Sequence, residues 1–412
     1  MVAYFTNDFQ LINIEKTAII IALGVDKAKN QELEVTVQIA VPQASNQTST
    51  NSDAILSAKD KTLYGALEKI SLETGWYPKL TFCNLIVFGQ DLIKDNFMPI
   101  LEYILTSNRF QNSAVVAVAE EKAKDLLNST TPLDYISSFA LQKILLRNLD
   151  RTSSVCVLDV RKLCALSRSR SDFCYMPLVK NKKTDDKSQG DSQNSGGQSQ
   201  NSQSSSNSDN NQINFLASGD GSGSSGSGGL PSAGGASNDK PSVFDASSTL
   251  LFSNGKFVST LTKDQTHCFN MITQKVKETF IPITFERENK QIDALISIVS
   301  NRYKVKISIE NGIPKLEVNL TLICEKEETY ANENLYELAK FNKVSQQAIT
   351  ALEKKMTKDI QSLLDISKEN NCDFLQIKEL IYRKSPKEYY ALKDNLFELL
   401  DYTVNVTCKN YR

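Results

Sequence analysis

The chain predicts a multi-domain α+β protein, and three observations carry that prediction. Alternating apolar and polar runs recur in both halves, amphipathic helical stretches accompany them, and a Ser/Gly/Asn-rich stretch separates the two sets. The expected organisation is an N-terminal mixed α/β domain over 1–180, a disordered low-complexity insert over 181–240, and a C-terminal domain over 241–412. That last part is expected to be an antiparallel sheet backed by long helices.

In the first part, the apolar run at 17–25 predicts one strand. Leu33, Val35, Val37 and Ile39, alternating with Glu34, Thr36 and Gln38, predict a second. The polar turn at 26–31 makes these an antiparallel hairpin with one face buried and one wet. A polar loop is expected at 44–53. Leu63, Leu67 and Ile70 share a helical face within 62–72. A buried strand at 80–88, a helix at 92–105 and a strand at 114–119 follow.

Between 181 and 240, almost nothing is apolar apart from Ile213, Phe215 and Leu216. Such a segment buries too little surface to offset its ordering entropy, so a solvated linker is expected. Its glycines at 218–229 are not followed by Gly-Lys-Ser/Thr, and they lack the strand-to-helix setting of a phosphate loop.

After the insert, 263–277 predicts a helix with Thr262 as N-cap. Tyr303, Val305, Ile307 and Ile309 alternate with polar neighbours, as do Leu316, Val318, Leu320 and Leu322. Asn311, Gly312 and Pro314 between them mark a hairpin turn. Val344, Ala348, Leu352, Met356, Ile360 and Leu364 stripe a long helix. That stripe has two readings, a coiled-coil seam for a partner or the cover of the sheet; the half-wet hairpin needs cover, which favours the second. Tyr402, Val404, Val406 and Cys408 mark a final strand.

Chemistry is sparse. Lys plus Arg (47) balances Asp plus Glu (48), so no overall positive field exists to collect nucleic acid. A local basic patch, Arg161, Lys162, Arg168, Arg170, Lys180, Lys182 and Lys183 with Phe173 and Tyr175, runs straight into the insert and reads as a solvated boundary. The eight cysteines contain no C-x-x-C pair, and His267 is the single histidine, which argues against a structural zinc site. Cys156, Cys164 and Cys174 are the place to look for pairing in an oxidising compartment; burial as small apolar side chains is the favoured alternative. His267 and Cys268 are adjacent on a predicted helix and diverge by about 100°, so they form no dyad. Glu325, Glu327 and Glu328, and likewise Asp185 and Asp186, read as solvated faces. No catalytic, cofactor-binding or metal-binding residue and no cofactor are predicted. No stretch reaches the roughly 20 apolar residues of a membrane-spanning helix, and residues 1–10 lack the pattern of an export signal.

Three blocks resemble the Ger(x)C family, the C subunits of nutrient germinant receptors in spore-forming bacteria. The first is IEKTAIIIALGVDKAKNQELEVTVQIAVPQ, residues 14–43, with Leu23, Gly24, Val25 and Asp26 at the family's Leu-Gly-Ile/Val-Asp. The second runs from the strand at 80–89 to Arg109, with Phe82, Cys83 and Asn84 where the family usually has Ser-His. The third combines 251–276 with CDFLQIKELIYRKSPKEYY, residues 372–390. There Asp373, Phe374, Tyr382, Arg383, Lys384, Pro386 and Lys387 match, while Ile377 or Lys378 stands where glycine is common.

The resemblance implies a non-catalytic subunit that assembles with membrane-embedded A and B subunits and supports the nutrient response. It implies a lipoprotein on the outer face of the spore inner membrane, although no cysteine precedes Cys83 to form a lipobox. An extracellular lipoprotein that itself captures a small-molecule germinant is the alternative. The matched positions read as structural: Asp26 is expected to cap the first turn, and Tyr382, Arg383 and Lys384 to form a surface or packing motif.

Overall fold

Ten strands of the described residues form one sheet and four form another, and the two meet along a seam of aromatic side chains. The computed structural model describes residues 16–40, 53–95, 97–134, 136–147, 152–183, 242–287, 289–329 and 343–411. The predicted insert therefore lies outside the described residues, save that Asn181–Lys183 end a strand, and the predicted loop at 44–53 lies almost wholly outside them.

The first sheet begins with the expected hairpin, β1 (Thr17–Lys27) and β2 (Leu33–Ala40), extended by β3 (Asp53–Asp60). Its second face is not wet. Glu34, Thr36 and Gln38, the polar alternates of β2, are all buried beneath α4 (Ala123–Leu127) and α5 (Ser137–Arg147). A polar face tolerates such cover when each group finds a partner. Here Glu34 pairs with Lys124 at 2.8 Å, Thr36 bonds Ser57, and Gln38 bonds Ser137 and the Ser138 amide.

α1 (Leu63–Thr74) starts at Thr62, whose hydroxyl accepts from the Gly65 amide, and β4 (Tyr77–Lys79) follows. The predicted strand at 80–88 divides into a short turn, Leu80–Phe82, and β5 (Leu85–Gly89). The predicted helix at 92–105 breaks into α2 (Gln90–Lys94) and α3 (Met98–Thr106). Pro99 explains the break, because it suits a helix's first turn and cannot sit in its interior. β6 (Val115–Ala119), β7 (Leu158–Asp159), α6 (Val160–Ser167) and β8 (Phe173–Lys183) complete the chain before the insert.

β9 (Ser242–Ser253) and β10 (Lys256–Leu261), just after the insert, also belong to this sheet, β9 pairing antiparallel with β8. The strand order is β10-β9-β8-β6-β5-β1-β2-β3, with β1, β5, β6 and β8 mutually parallel. The sheet thus runs across the compositional boundary.

The second sheet orders β11 (Thr279–Arg287), β12 (Lys290–Glu310), β13 (Ile313–Thr329) and β14 (Asp401–Asn410). The β12–β13 turn places Asn311 and Gly312 at φ 53° and 82°, the left-handed pair that a tight hairpin of matching twist requires. The sheet is antiparallel as expected except at β14, which lies parallel to β13. The connection carries α8 (Gln346–Glu369), α9 (Ile377–Lys384), α10 (Pro386–Leu392) and α11 (Leu396–Leu399), a crossover long enough to return the chain to the same end. α8 covers the sheet with its apolar stripe, packing on β11, β14 and α7 (Lys263–Thr273).

Candidate functional site

The motif residues gather at two places. The first is the end of β1. Asp26 does not cap its own turn; its two carboxylate oxygens accept from the Ala123 amide at 2.8 Å and the Lys124 amide at 2.9 Å, capping α4 across 97 residues of sequence. Burial raises the Asp26 pKa, against the opposing pull of those two amides. Small residues make room for the cap. A Cβ on Gly89 would lie 2.1 Å from Asp26 Oδ1, and one on Gly24 would lie 3.1 Å from Ala123 Cβ and Leu127 Cδ1. The Leu-Gly-Val-Asp motif is therefore a helix-docking device.

The second place is the seam between the sheets. Phe173, Tyr175, Phe269 and Phe374 stack there, Tyr175 and Phe269 at 4.9 Å between ring centroids and Phe269 and Phe374 at 5.7 Å. Asp373 is fully buried and repeats the Asp26 arrangement, accepting from the amides of Ile377 at 2.6 Å and Lys378 at 2.9 Å to cap α9. Ser171, from the first half, lies against the same carboxylate. Ile377 and Lys378, where glycine is common in the family, open α9 in helical geometry, and the left-handed position of the turn falls instead on Gln376 at φ 55°.

Tyr382 and Arg383 prove to be seam residues, and Lys384 ties α9 to β12. The Arg170 guanidinium sits 3.5 Å from the Tyr382 ring centroid and bonds Glu379 at 3.1 Å; Arg383 bonds the same Glu379, and Lys384 Nζ donates to the Ile307 carbonyl. An open-sided groove of about 610 Å³ runs past Arg168, Arg170, Gln376, Glu379 and Arg383. A second depression, of about 390 Å³, lies between β11, β12 and Lys355.

The basic patch is largely neutralised in place. Arg161, Arg168, Arg170, Lys180 and Lys182 face Asp159, Glu102, Glu379, Glu120 and Asp245 in turn, while Phe173 is buried and Tyr175 packs against the core. The eight cysteines are free and buried. Burial pushes the Cys156 and Cys372 thiols up to about 12 and raises Cys268 further, so they stay protonated and unreactive at neutral pH.

His267 is separate from Cys268 chemically, as expected, but it meets a residue the sequence did not point to. Ser153 Oγ lies 2.5 Å from His267 Nδ1 and 2.8 Å from Thr279 Oγ1. Asn270 completes the network, donating to the carbonyls of Ser153 and Val155. Ser153 and His267 are 0% and 3% exposed, which leaves a substrate no approach; the network pins the loop before β7 to α7 and β11. A pairing between positions 114 apart leaves no trace in local spacing. Among the described residues, no group of three or more His, Cys, Asp or Glu side chains is placed to hold a metal ion, and no helix is long and apolar enough to cross a membrane.

Fold and motif residues together define a two-part α+β protein whose distinguishing side chains join its own elements to one another. Residues 11–181 match the family model described as spore germination protein N-terminal domain, and residues 247–410 match that described as spore germination B3/GerAC like, C-terminal. The chain belongs to the Ger(x)C family of spore germination proteins. It is similar to spore germination protein KC of Bacillus subtilis (strain 168), with 21% identity over 397 residues, covering 92% of this chain and 84% of the relative. It is also similar to spore germination protein A3 of the same organism, with 27% identity over 124 residues, 28% of this chain and 32% of that one. The crystal structure of the GerBC protein superposes with a TM-score of 0.51 at 14% identity, covering 95% of this chain and 97% of that one; the likeness is one of fold.

Proposed function

We propose that this chain is the C subunit of a spore germinant receptor, a non-catalytic protein that assembles with membrane-embedded A and B subunits and supports the response to nutrients. The observation that carries the reading is the family match over both halves in order, 11–181 and 247–410. The placement of the motif side chains supports it. Asp26, Asp373, Arg170 and Tyr382 hold elements together, and the thiols and the imidazole lie in the core, so the outer surface is left for contacts. The reading places the chain at the outer face of the spore inner membrane, held by its partners or by a lipid.

The test is genetic and biochemical. Spores lacking the chain are expected to lose the response to the germinant of this receptor, and the tagged chain is expected to co-purify with the two membrane subunits from detergent extracts. An intact nutrient response in its absence would defeat the proposal.

A further inference from the structure

The chain has one tryptophan, and it is on the surface. Trp76 is 48% exposed, beside Leu72 at 78%, Tyr77 at 38% and Phe82 at 50%. Four large apolar side chains left to water within eleven residues are not the ordinary scatter of surface hydrophobics. They occupy the end of α1, β4 and the turn after it.

The chain makes two close turns here. α1 stops at Gly75, which takes the left-handed φ of 72° and whose amide returns to the Ser71 carbonyl at 2.8 Å. A Cβ built on Gly75 would meet nothing within 4 Å. β4 then pairs for only three residues with the start of β1, Thr17 opposite Tyr77, and the chain turns again at Leu80–Phe82. Neither of the two depressions described above includes these residues. A rigid protein partner would need a surface moulded to this cluster, whereas a lipid surface conforms to it.

Its chemistry suits the same medium. Tryptophan and tyrosine settle at the boundary between headgroups and acyl chains, where an apolar ring and a polar edge are both accommodated. Two exposed lysines stand beside the aromatics in the β1–β4 pair, Lys16 before Thr17 and Lys79 at the end of β4. Neither has an ion-pair partner among the described residues, and both are exposed where anionic headgroups would meet the aromatics.

We infer that the cluster formed by Leu72, Trp76, Tyr77 and Phe82, with Lys16 and Lys79 at its border, is a lipid-contacting face that seats the N-terminal end of the first sheet on an anionic bilayer. The contact is shallow, made by side chains rather than by a spanning element, and it orients the chain as well as retaining it. The inference deepens the membrane placement proposed above. Its own test uses lipid alone, so its failure would leave the receptor assignment to be judged by the deletion and co-purification results.

Because Trp76 is the single tryptophan, the full chain carries its own probe. Added to vesicles of phosphatidylcholine with phosphatidylglycerol, the protein is expected to co-sediment, to shift its tryptophan emission to shorter wavelength, and to lose quenching by aqueous iodide. Phe82→Ser and Leu72→Ser are expected to weaken vesicle partitioning about tenfold each. Both positions are exposed, so far-ultraviolet circular dichroism is expected to stay unchanged. Lys79→Glu is expected to weaken binding to the anionic vesicles several-fold and to leave phosphatidylcholine alone unaffected. Three results would overturn the inference: no co-sedimentation with either vesicle, co-sedimentation that leaves Trp76 open to iodide, or shielding of Trp76 that appears only when the other receptor subunits are present. The last would assign the cluster to a protein partner.

Discussion

Asp26 and Gly89 illustrate how one side chain sets the space another must leave. The carboxylate holds α4 by two amide bonds, and Gly89 approaches it so closely that any Cβ would strike Oδ1 at 2.1 Å. Gly89 has an ordinary φ of −72°, so its requirement is steric and not conformational. Gly89→Ala is therefore expected to displace the cap and destabilise the protein by about 2–3 kcal/mol, read as a lower urea midpoint at unchanged slope. Sequence identified Asp26 as a capping residue because aspartate caps, yet it assigned it to its own turn and not to α4, since a bond between positions 97 apart has no local signature. His267 yields a pH prediction of definite sign. Burial, with Lys263 and Lys355 adding to it and Asp264 opposing, lowers its pKa from 6.5 to about 4. Below pH 6.5 the unfolded chain binds a proton that the folded chain refuses, so this contribution to stability is intact above 6.5 and is lost as pH falls towards 4. The loss amounts to about 3 kcal/mol at its limit. His267→Gln is expected to flatten the stability–pH curve across that window; an unaltered curve would show that the imidazole charges freely in the fold.

At the scale of elements, the sequence was most legible where periodicity and turn chemistry agreed. The β12–β13 hairpin carried both an alternating pattern and Asn311-Gly312, and it formed as expected. Boundaries failed where tertiary contacts or proline intervened. The helix expected to reach 277 stops at Thr273 because Asn301, on β12, supplies the missing partners for its end. Its side chain donates to the carbonyls of Met271 at 2.6 Å and Gln274 at 3.0 Å and accepts from the Val276 amide at 2.7 Å. A helix terminus needs such partners, and here they come from another strand. Asn301→Ala removes the side-chain partner of three backbone groups, two of them in buried bonds, and is expected to cost about 2–3 kcal/mol, with faster hydrogen exchange confined first to the last turn of α7 and residues 274–276. Uniform protection across α7 in the variant would argue that water replaces the side chain. The hidden face of β2 teaches a related point: alternation located its polar side, but whether that side meets water depended on α4 and α5, whose approach no pattern within β2 records.

For the whole molecule, the decisive fact is that the two halves named by composition share structure. β8, before the insert, pairs with β9, after it, from Phe173 opposite Ser253 to Lys183 opposite Ser242. The core of the second sheet also takes in Phe173 and Leu251 from the first and Cys156 from the loop before β7. The insert therefore interrupts an antiparallel strand pair, which a compositional boundary alone could not reveal: the same serine- and glycine-rich stretch would be written between independent domains. The two alternatives differ in a measurable way. Produced as two polypeptides broken inside the insert, independent domains would purify separately, whereas halves joined by a ladder and an aromatic seam need each other. We expect the two pieces to co-purify as a one-to-one complex with the circular dichroism of the intact chain, and the N-terminal piece alone to aggregate through the β8 edge left unpaired. Glu379→Arg adds a further expectation, because it sets three guanidinium groups, Arg170, Arg383 and the new one, against each other at the seam. The variant pieces are expected to associate more weakly, and raised salt is expected to recover part of the loss by screening. Separate elution of two folded, soluble pieces would sink the shared-sheet account and return the chain to a pair of beads on a linker.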